Sequence, residues 1–282
     1  MGTEFRIVFY ASDEADANAA AAVAFQRIDE LEQIFSDYIG ESEVSRLSAT
    51  AGTGQKVAVG DDLWMVLTFS QKVAKKSKGA FDVTAGALTK RWRQAFRQKK
   101  FPQAQDLESA KKTTGFKKVK LHNNHQVELL KTGTQLDFGG VAKGYAVDEA
   151  MKVLKNNGIS AAMIDGGGDI AVSDAPPGEL GWAIECSVYK AGELDTRMFF
   201  LRNRAVATSG DTYRFLEWEG KRYSHIIDPR TGMGLTTRQI VTVVAPTCMQ
   251  ADAWATAMSV EACTGVFRHL KKKGIEVSFS RY

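Results

Sequence analysis

The sequence predicts an α+β fold in which mixed, largely antiparallel sheets are flanked by helices. Two observations support this class: short strand-like segments follow one another without strict alternation with helices, and only a few segments have long helical periodicity. The 282 residues, 44% hydrophobic and 25% charged, are enough for a globular core. We expect one domain over residues 1–282, with room for two closely packed subdomains and a ligand cleft between them.

The first half of the chain opens with a strand-like run, Phe5 to Tyr10. The alanine-rich segment from Asp13 to Phe35 follows, and its apolar residues recur at helical spacing. A second helix is predicted from Asp61 to Lys78, where Gly79 supplies the stop. The next predicted elements are three short strands: Lys118 to Leu121, Gln126 to Leu130 and Gln135 to Phe138.

The second half begins with a predicted helix from Ala142 to Asn157, followed by a buried strand from Ala161 to Ile164. This strand leads into three consecutive glycines, Gly166 to Gly168. Further predicted elements are strands near 181–188, 198–201, 205–208 and 239–245, a hairpin over 215–223, a helix over 250–262 and a short helix before Gly274. The strands are expected to pair with their neighbours rather than through βαβ units.

Composition narrows the classes of function. A formal net charge of +4 and a pI near 8.8 are compatible with an anionic ligand and too weak to imply nucleic acid. The run Lys90 to Lys100 mixes basic and aromatic residues, but the spacing of Trp92 and Phe96 favours a solvated helix with a buried aromatic stripe. Lys271 to Lys273 is interpreted as a solvated helix end. The three cysteines lie far apart and indicate neither a disulfide framework nor a metal site.

No run of 18 apolar residues and no export signal is found in the sequence. The chain passes from Met1 almost directly into its first strand. Such a start is typical of a chain from which a leader has been removed, so we expect that an anchor could precede the native form.

Two glycine-containing segments are candidate ligand loops. Asp137 to Tyr145 ends a strand and opens a helix, so its backbone N–H groups can face a phosphate, and Lys143 adds a charge there. A plain tight turn is the alternative for this segment. Gly166 to Gly168 indicates either close approach of a ligand or a bulge between two strands.

Two polar groups of residues suggest chemistry. His225 lies in a polar loop and is either a general base or a structural histidine. Asp252 and Thr256 are four residues apart on a predicted helix, so their oxygens share one face and suit magnesium. The alternative is an acidic residue near a helix N-terminus beside a buried threonine.

Taken together, these segments resemble the FAD:protein FMN transferases, the ApbE-type flavin transferases. The similar blocks occur in the order of the family over nearly the whole chain: 1–3, 35–38 with 42–47, 80–84, 137–145, 207–211, 225–232 and 251–257. The resemblance implies an ApbE-like flavin transferase fold with an FAD cleft.

The resemblance also implies roles for individual residues. The residues expected to contact FAD are Met1, Tyr38, Ala80, Phe81, Asp82, Gly139, Lys143, Tyr145 and Ile226. The residues expected to surround Mg²⁺ are Ala142 through its carbonyl, Asp252, Thr256 and, nearby, Ala255. His225 and Asp252 are the expected catalytic residues, and either His225 or a neighbouring carboxylate is expected to accept the hydroxyl proton. Two departures from the family pattern are Ala255, which offers only its backbone where an acidic residue could add a ligand, and Ala87, where proline is frequent.

The implied reaction is magnesium-dependent transfer of FMN from FAD to a Ser or Thr hydroxyl of an acceptor protein, with release of AMP. Two alternatives stay open: a magnesium-dependent FAD pyrophosphatase that gives FMN and AMP, and a flavin-binding protein without turnover. The bulky ring of Tyr38 favours transfer over hydrolysis. The resemblance implies an acceptor that is a membrane redox-complex subunit with its Ser or Thr in a small-residue motif, no nucleic-acid partner, and a periplasmic, often lipid-anchored, location.

Overall fold

The computed structural model describes residues 2–210, 214–261 and 264–281, with Thr264 described by its backbone alone. Within these ranges the helices are α1 (Glu14–Phe35), α2 (Glu43–Ala49), α3 (Asp61–Lys76), α4 (Gly86–Gln98), α5 (Ala104–Thr113), α6 (Ala142–Asn156), α7 (Cys248–Val260) and α8 (Thr264–Lys272), with a 3₁₀ turn at Phe116–Lys118. The strands are β1 (Phe5–Phe9), β2 (Val57–Ala58), β3 (Val119–Leu121), β4 (Gln126–Leu129), β5 (Ala162–Gly166), β6 (Ile170–Val172), β7 (Trp182–Lys190), β8 (Glu193–Leu201), β9 (Arg204–Gly210), β10 (Phe215–Trp218), β11 (Lys221–Ser224), β12 (Ile227–Asp228), β13 (Met233–Gly234), β14 (Gln239–Ala245) and β15 (Glu276–Arg281).

The centre of the fold is a six-stranded sheet with the order β1-β5-β6-β9-β14-β15. The ladders between the described strands are antiparallel, as the sequence predicts. A three-stranded sheet, β2-β4-β3, and three two-stranded sheets complete the β-structure of the described residues. The predicted α+β class is therefore confirmed.

The two faces of the central sheet have different partners because side chains alternate along a strand. In β9, Ala205 and Ala207 pack with the helices, whereas Val206 packs with the β7–β8 hairpin. The helical side is built by α1 and α6 over β5 and by α7 over β9 and β14. This arrangement brings the start of α6 against the face of α7.

Helix starts are fixed by side-chain caps. Asp13 accepts hydrogen bonds from the backbone N–H groups of Ala15 and Asp16 and begins α1 where the sequence predicts it. The start of α7 lies at Cys248, two residues before the predicted Gln250. Thr247 is its N-cap and accepts from the Gln250 N–H, and the Asp148 carboxylate of α6 accepts from the N–H groups of Cys248 and Met249. The predicted end of this helix at residue 262 lies outside the described residues.

The predicted strand from Gln135 to Phe138 is wrong. This segment forms only an isolated bridge between Gln135 and Ala85. Its other backbone donors go to loops and side chains instead of a strand: Leu136 N–H donates to Ser48 Oγ and Asp137 N–H donates to the Val83 carbonyl. The segment is extended but tethers the Asp137 loop to the turn after α3. The sequence pattern also did not predict the helices α2 and α5 or the strands β2, β6, β12, β13 and β15.

The helix α5 has no clear helical spacing of apolar residues in the sequence, because it buries only Leu107 and Ala110. The predicted basic helix is confirmed as part of α4, where Trp92 is buried and donates its indole N–H to the Gly232 carbonyl, 2.9 Å away.

In the described residues, no helix combines the length and the apolar character needed to cross a membrane.

Candidate functional site

The start of α6 and the face of α7 approach each other so closely that only glycine fits between them. A Cβ atom added at Gly144 would lie 2.4 Å from the carbonyl oxygen of Cys248 and 2.9 Å from the Cβ of Asp252. The close approach allows the Gly144 N–H to donate to Asp252 Oδ2 over 3.2 Å. Asp252 is thereby held by backbone inside the contact, with 4% of its surface exposed.

Thr256 lies one turn along α7 and faces the same loop, as the four-residue spacing predicts. A Cβ atom added at Gly140 would lie 3.0 Å from Thr256 Oγ1 and 3.4 Å from Phe81 Cε2. The structure therefore brings together Gly140, Thr256 and the turn that carries Phe81. Gly140 was not among the residues expected around a metal, yet its backbone is the part of the loop that adjoins the threonine.

Lys143 is placed between two carboxylates. Its ammonium group contacts Asp169 Oδ2 and lies 3.5 Å from Asp252 Oδ2. The carboxylate side chains of Asp169 and Asp252 are each 6% exposed, and the Lys143 side chain is 25% exposed. Asp169 reaches this position from the β5–β6 turn, in which Gly167 and Gly168 have positive φ values of 69° and 93°. Two of the three consecutive glycines thus allow the turn conformation that brings Asp169 to Lys143.

Burial and charge together set the protonation behaviour of this cluster. Burial raises the pKa of Asp169 to about 7; the Asp252 charge adds to the rise and Lys143 opposes it. Burial also raises the pKa of Asp252, again against the effect of Lys143. Burial works against the charge on Lys143, but the two carboxylates more than offset it and raise its pKa. When both carboxylates are ionised, the single ammonium leaves one negative charge that a further cation would neutralise, and such a cation would favour the ionised forms that burial disfavours.

The donor set fits magnesium. Carboxylate and hydroxyl oxygens are hard ligands, and Mg²⁺ uses few protein ligands because it keeps waters and phosphate oxygens. In the described ranges, no group of three or more His, Cys, Asp or Glu side chains is arranged to hold a metal ion by itself. Asp252, Thr256 and the adjacent loop backbone would therefore form an incomplete shell that a diphosphate could complete. The Ala255 side chain has no atom that could bind a metal ion, and the backbone carbonyl of Ala255 accepts a hydrogen bond from Ser259 Oγ.

The turn after α3 contributes a buried edge to the site. Ala80 is 1%, Phe81 4% and Asp82 8% exposed. The Asp82 carboxylate accepts from the N–H and the hydroxyl of Thr84, and burial raises its pKa. The Asp82 carboxylate is thus hydrogen-bonded within its own turn. We therefore expect a ligand to contact the backbone of these residues and the edge of the Phe81 ring.

An arginine missed by the sequence analysis organises a second cluster. Arg93 of α4 donates to Asp37 Oδ2 at 2.5 Å and to Asp137 Oδ2 at 2.7 Å. Its guanidinium lies 4.6 Å from the ring centroid of Tyr38, which is 73% exposed. Asp137 also accepts from the Gly139 N–H and from Thr89 Oγ1, at 2.8 and 2.6 Å. The cluster fixes the start of the 137–145 loop and supports one face of an exposed aromatic ring.

His225 is held by the loop before it. The His225 Nδ1 and the Arg214 carbonyl oxygen are 3.1 Å apart, and only the ring nitrogen can donate in this pair. The bond therefore places a proton on Nδ1 and leaves Nε2 as the basic nitrogen of the neutral ring. The same loop continues to Arg230, which makes a bidentate pair with Asp228 and an ion pair with Glu261 after α7. These pairs tie the His225 loop to the end of α7.

The remaining predicted site residues have these positions. Tyr145 is 7% exposed and donates its hydroxyl to Asp62 Oδ1 at 2.7 Å within the packing of α3 and α6. Ala142 is buried as the first residue of α6, and the Ile226 N–H donates to Ser224 Oγ. Met1 lies outside the described residues, as does residue 211, the last of the 207–211 block that resembles the family.

The chain is similar to known proteins in both sequence and fold. The family model described as "ApbE family" matches residues 1–279. A protein of Klebsiella pneumoniae (strain 342) named FAD:protein FMN transferase is 29% identical over 98% of this chain and 81% of its own length. A protein of the same name from Treponema pallidum (strain Nichols) is 32% identical over 92% of this chain and 76% of its own length. The solved structure of the flavin transferase ApbE from Vibrio cholerae is similar with a TM-score of 0.87 and 26% identity, covering 100% of this chain and 94% of that one.

Proposed function

The chain belongs to the ApbE family, and on this premise we propose that it is an FAD:protein FMN transferase that uses Mg²⁺. The reaction we propose transfers FMN from FAD to a Ser or Thr hydroxyl of an acceptor protein and releases AMP. The observation that carries the proposal is the placement of Asp252 and Thr256 against the 139–144 loop, with Lys143 and Asp169 behind them.

The chemistry requires neutralisation of a diphosphate and alignment of a hydroxyl. In the proposed step, the acceptor oxygen forms a bond to the FMN-side phosphorus while the bond from that phosphorus to the AMP oxygen breaks. The hydroxyl proton passes to His225 Nε2, the basic nitrogen that the Nδ1 bond leaves. Bound magnesium supplies electrostatic stabilisation of the diphosphate charge.

The residues of the chain have separate proposed tasks. Asp252 and Thr256 would hold the metal, together with a backbone carbonyl of Gly140 or Ala142, and Ala255 lies at the adjoining position of α7. Lys143 orients Asp252 and Asp169 and favours their ionised forms against the effect of burial. The FAD contacts we propose are those implied by the family: Met1, Tyr38, Ala80, Phe81, Asp82, Gly139, Lys143, Tyr145 and Ile226. Among these, the exposed ring of Tyr38 offers a free face on which a planar ligand ring can stack.

The wider setting is also proposed from the family. The acceptor would be a subunit of a membrane redox complex with its Ser or Thr in a small-residue motif, and the enzyme would act at the outer face of the cytoplasmic membrane. We propose that residues 1–282 act as one transferase domain with FAD in a cleft. Fractionation of cells that express the native gene tests the location.

The proposed reaction is tested by mass spectrometry. The protein is incubated with FAD, with and without Mg²⁺, beside an acceptor domain that carries such a threonine, and both the acceptor mass and AMP are measured. An FMN adduct that depends on Mg²⁺ and is matched by AMP supports the proposal. AMP with free FMN and no adduct would indicate a pyrophosphatase, and no AMP at all would indicate a flavin-binding protein.

A pair of matched variants locates the reaction. Asp252→Asn preserves the shape of the side chain but removes its charge, so transfer should fall at least about 100-fold. Asp29→Asn, an exposed position on α1, is the control and should keep full activity. Equal activity of the two variants would exclude Asp252 from the metal site.

A further inference from the structure

The positive charge of the chain is concentrated in one stretch. Residues 72–131 contain 16 of the 37 Lys and Arg residues but only 4 of the 33 Asp and Glu residues. The rest of the chain therefore has more acidic than basic residues, although the formal net charge is +4. A segregation of this size creates a directed field that a net charge of +4 does not reveal.

The fold gathers part of this stretch with two lysines at and just after the end of α8. We define the lysine band as Lys75, Lys76, Lys78, Lys117, Lys272 and Lys273, all of which are exposed. The end of α3 adjoins the 3₁₀ turn, since Gln71 Nε2 donates to the Phe116 carbonyl at 3.1 Å. The end of α3 also lies near α8, because Val73 of α3 and Leu270 of α8 belong to the same buried apolar cluster. In agreement with this, burial and the charges of Lys76, Lys273 and Lys272 together lower the pKa of His269.

The lysines of the band are not neutralised by their own chain. In the described ranges, none of the six forms an ion pair with a carboxylate. Like charges held side by side on a folded surface repel one another and lower its stability. A surface that keeps such a cluster is suited to a partner of opposite charge.

The band borders the proposed site. Lys78 precedes Gly79, and a Cβ atom added at Gly79 would lie 3.7 Å both from Arg230 Cγ and from Phe116 Cε1. Ala80, Phe81 and Asp82 follow directly, so the band adjoins both the turn and the histidine loop at which FAD is expected.

We propose that the lysine band is the docking surface for acidic side chains of the acceptor protein, beside the hydroxyl that receives FMN. This inference rests on the proposed function, because that reaction must bring a second protein to this edge of the site. A protein fits better than a lipid surface. Proteins that bind a membrane surface usually also insert aromatic or leucine side chains between the lipids. In the described residues, Leu130 is the only exposed large apolar side chain that is next in sequence to a lysine of the basic stretch.

Binding of two synthetic peptides tests the proposal without catalysis. Both carry a threonine between small residues and a fluorescent label; one has three glutamates on each side and the other has glutamines in their place. Fluorescence anisotropy at low salt measures the affinity of the whole protein for each. We expect tighter binding of the glutamate peptide, with a preference that decreases as salt rises.

Two double variants with the same net charge provide the control. Lys76→Glu with Lys272→Glu changes the band, whereas Lys155→Glu with Lys190→Glu changes exposed lysines elsewhere; each pair lowers the formal charge from +4 to 0. The band variant should bind the glutamate peptide roughly tenfold more weakly, and the control variant about as tightly as the parent. Circular dichroism melting verifies that both are folded.

The outcomes separate this inference from the proposed function. Loss of the preference in the band variant alone supports the docking surface. Equal binding of the two peptides, no binding of either, equal loss in both variants, or tighter binding to phosphatidylglycerol vesicles than to the glutamate peptide would each overturn it. Failure of the parent protein to transfer FMN to any acceptor would instead refute the proposed function, whatever the peptides show.

Discussion

Replacing Lys143 with methionine removes the one cation described between Asp169 and Asp252. The methionine retains most of the length of the side chain, so the main change is electrostatic. Both carboxylate side chains are 6% exposed and would remain buried close to each other without a counter-charge. The variant therefore measures how strongly Lys143 holds the site together.

The expected cost follows from the burial of the three groups. Removing one partner of a buried ion pair costs about 3 to 5 kcal/mol, and the 25% exposure of the Lys143 side chain places this case near the lower limit, at about 3 kcal/mol. Asp169→Asn on top of Lys143→Met removes one of the two unpaired charges. We expect the double variant to be about 1 kcal/mol more stable than Lys143→Met alone.

Urea denaturation followed by circular dichroism measures these differences as changes in the free energy of unfolding. Lys152→Met on the same helix is the matched control, because its side chain is 67% exposed and its pairing with Glu149 is a surface contact worth less than about 1 kcal/mol. Added Mg²⁺ should restore stability to Lys143→Met, by about 2.7 kcal/mol at 100 times its dissociation constant.

Three results would refute this reasoning. Lys143→Met could cost no more than Lys152→Met, the two substitutions at positions 143 and 169 could be additive, or Mg²⁺ could leave Lys143→Met unchanged. The first two would show that the buried charges are not coupled. The third would show that no metal occupies the cluster.

Three further perturbations follow from the structure. Gly144→Ala should lower the free energy of unfolding by about 3 kcal/mol in a urea titration, since its Cβ would lie 2.4 Å from a backbone oxygen of α7; Gly265→Ala, with nothing within 4 Å of its Cβ, should cost nothing. Arg93→Gln should cost about 2 kcal/mol by the same assay and weaken FAD binding measured by flavin fluorescence, because it removes the cation that pairs with both Asp37 and Asp137; Arg91→Gln on the same helix should cost less than about 0.5 kcal/mol. Asp148→Asn should flatten the dependence of stability on pH between about 4 and 6. Burial raises the pKa of Asp148 from 3.8 to about 6, so the folded state binds more protons there and loses up to about 3 kcal/mol as pH rises through this window.

Each of these has a clear contrary result. Equal stability of the two alanine variants would mean that α6 and α7 can separate freely. If Arg93→Gln were as stable as Arg91→Gln, the carboxylates of Asp37 and Asp137 would be solvated. A parent protein whose stability rises with pH as steeply as that of Asp148→Asn between 4 and 6 would mean that this carboxylate is ionised without cost.

Local patterns explain which parts of the fold and site were predictable. The positions of Asp252 and Thr256 on one face follow from the period of a helix. The buried residues of α1 recur at helical spacing, and β14 is a short, continuous, mostly β-branched run that is buried along almost its whole length. The antiparallel class followed from strands joined without intervening helices. In each case, neighbouring residues in sequence contain the information.

The residues that were missed depend on contacts between distant parts of the chain. Arg93 meets carboxylates 56 and 44 residues away, and Asp169 meets the predicted Lys143 across 26 residues. No spacing rule predicts such pairs. The false strand at Gln135 to Phe138 has the same cause, because its backbone bonds go to Ser48 and Val83 rather than to a neighbouring strand.

The central claim is that the Asp252 and Thr256 face of α7 holds the metal at which FAD is cleaved. A crystal of the protein grown with FAD and Mn²⁺, the latter as a magnesium substitute with an anomalous signal, tests it directly. The account predicts an anomalous peak between Asp252, Thr256 and the FAD diphosphate. A metal peak elsewhere, or FAD bound with its diphosphate away from α7, would contradict it.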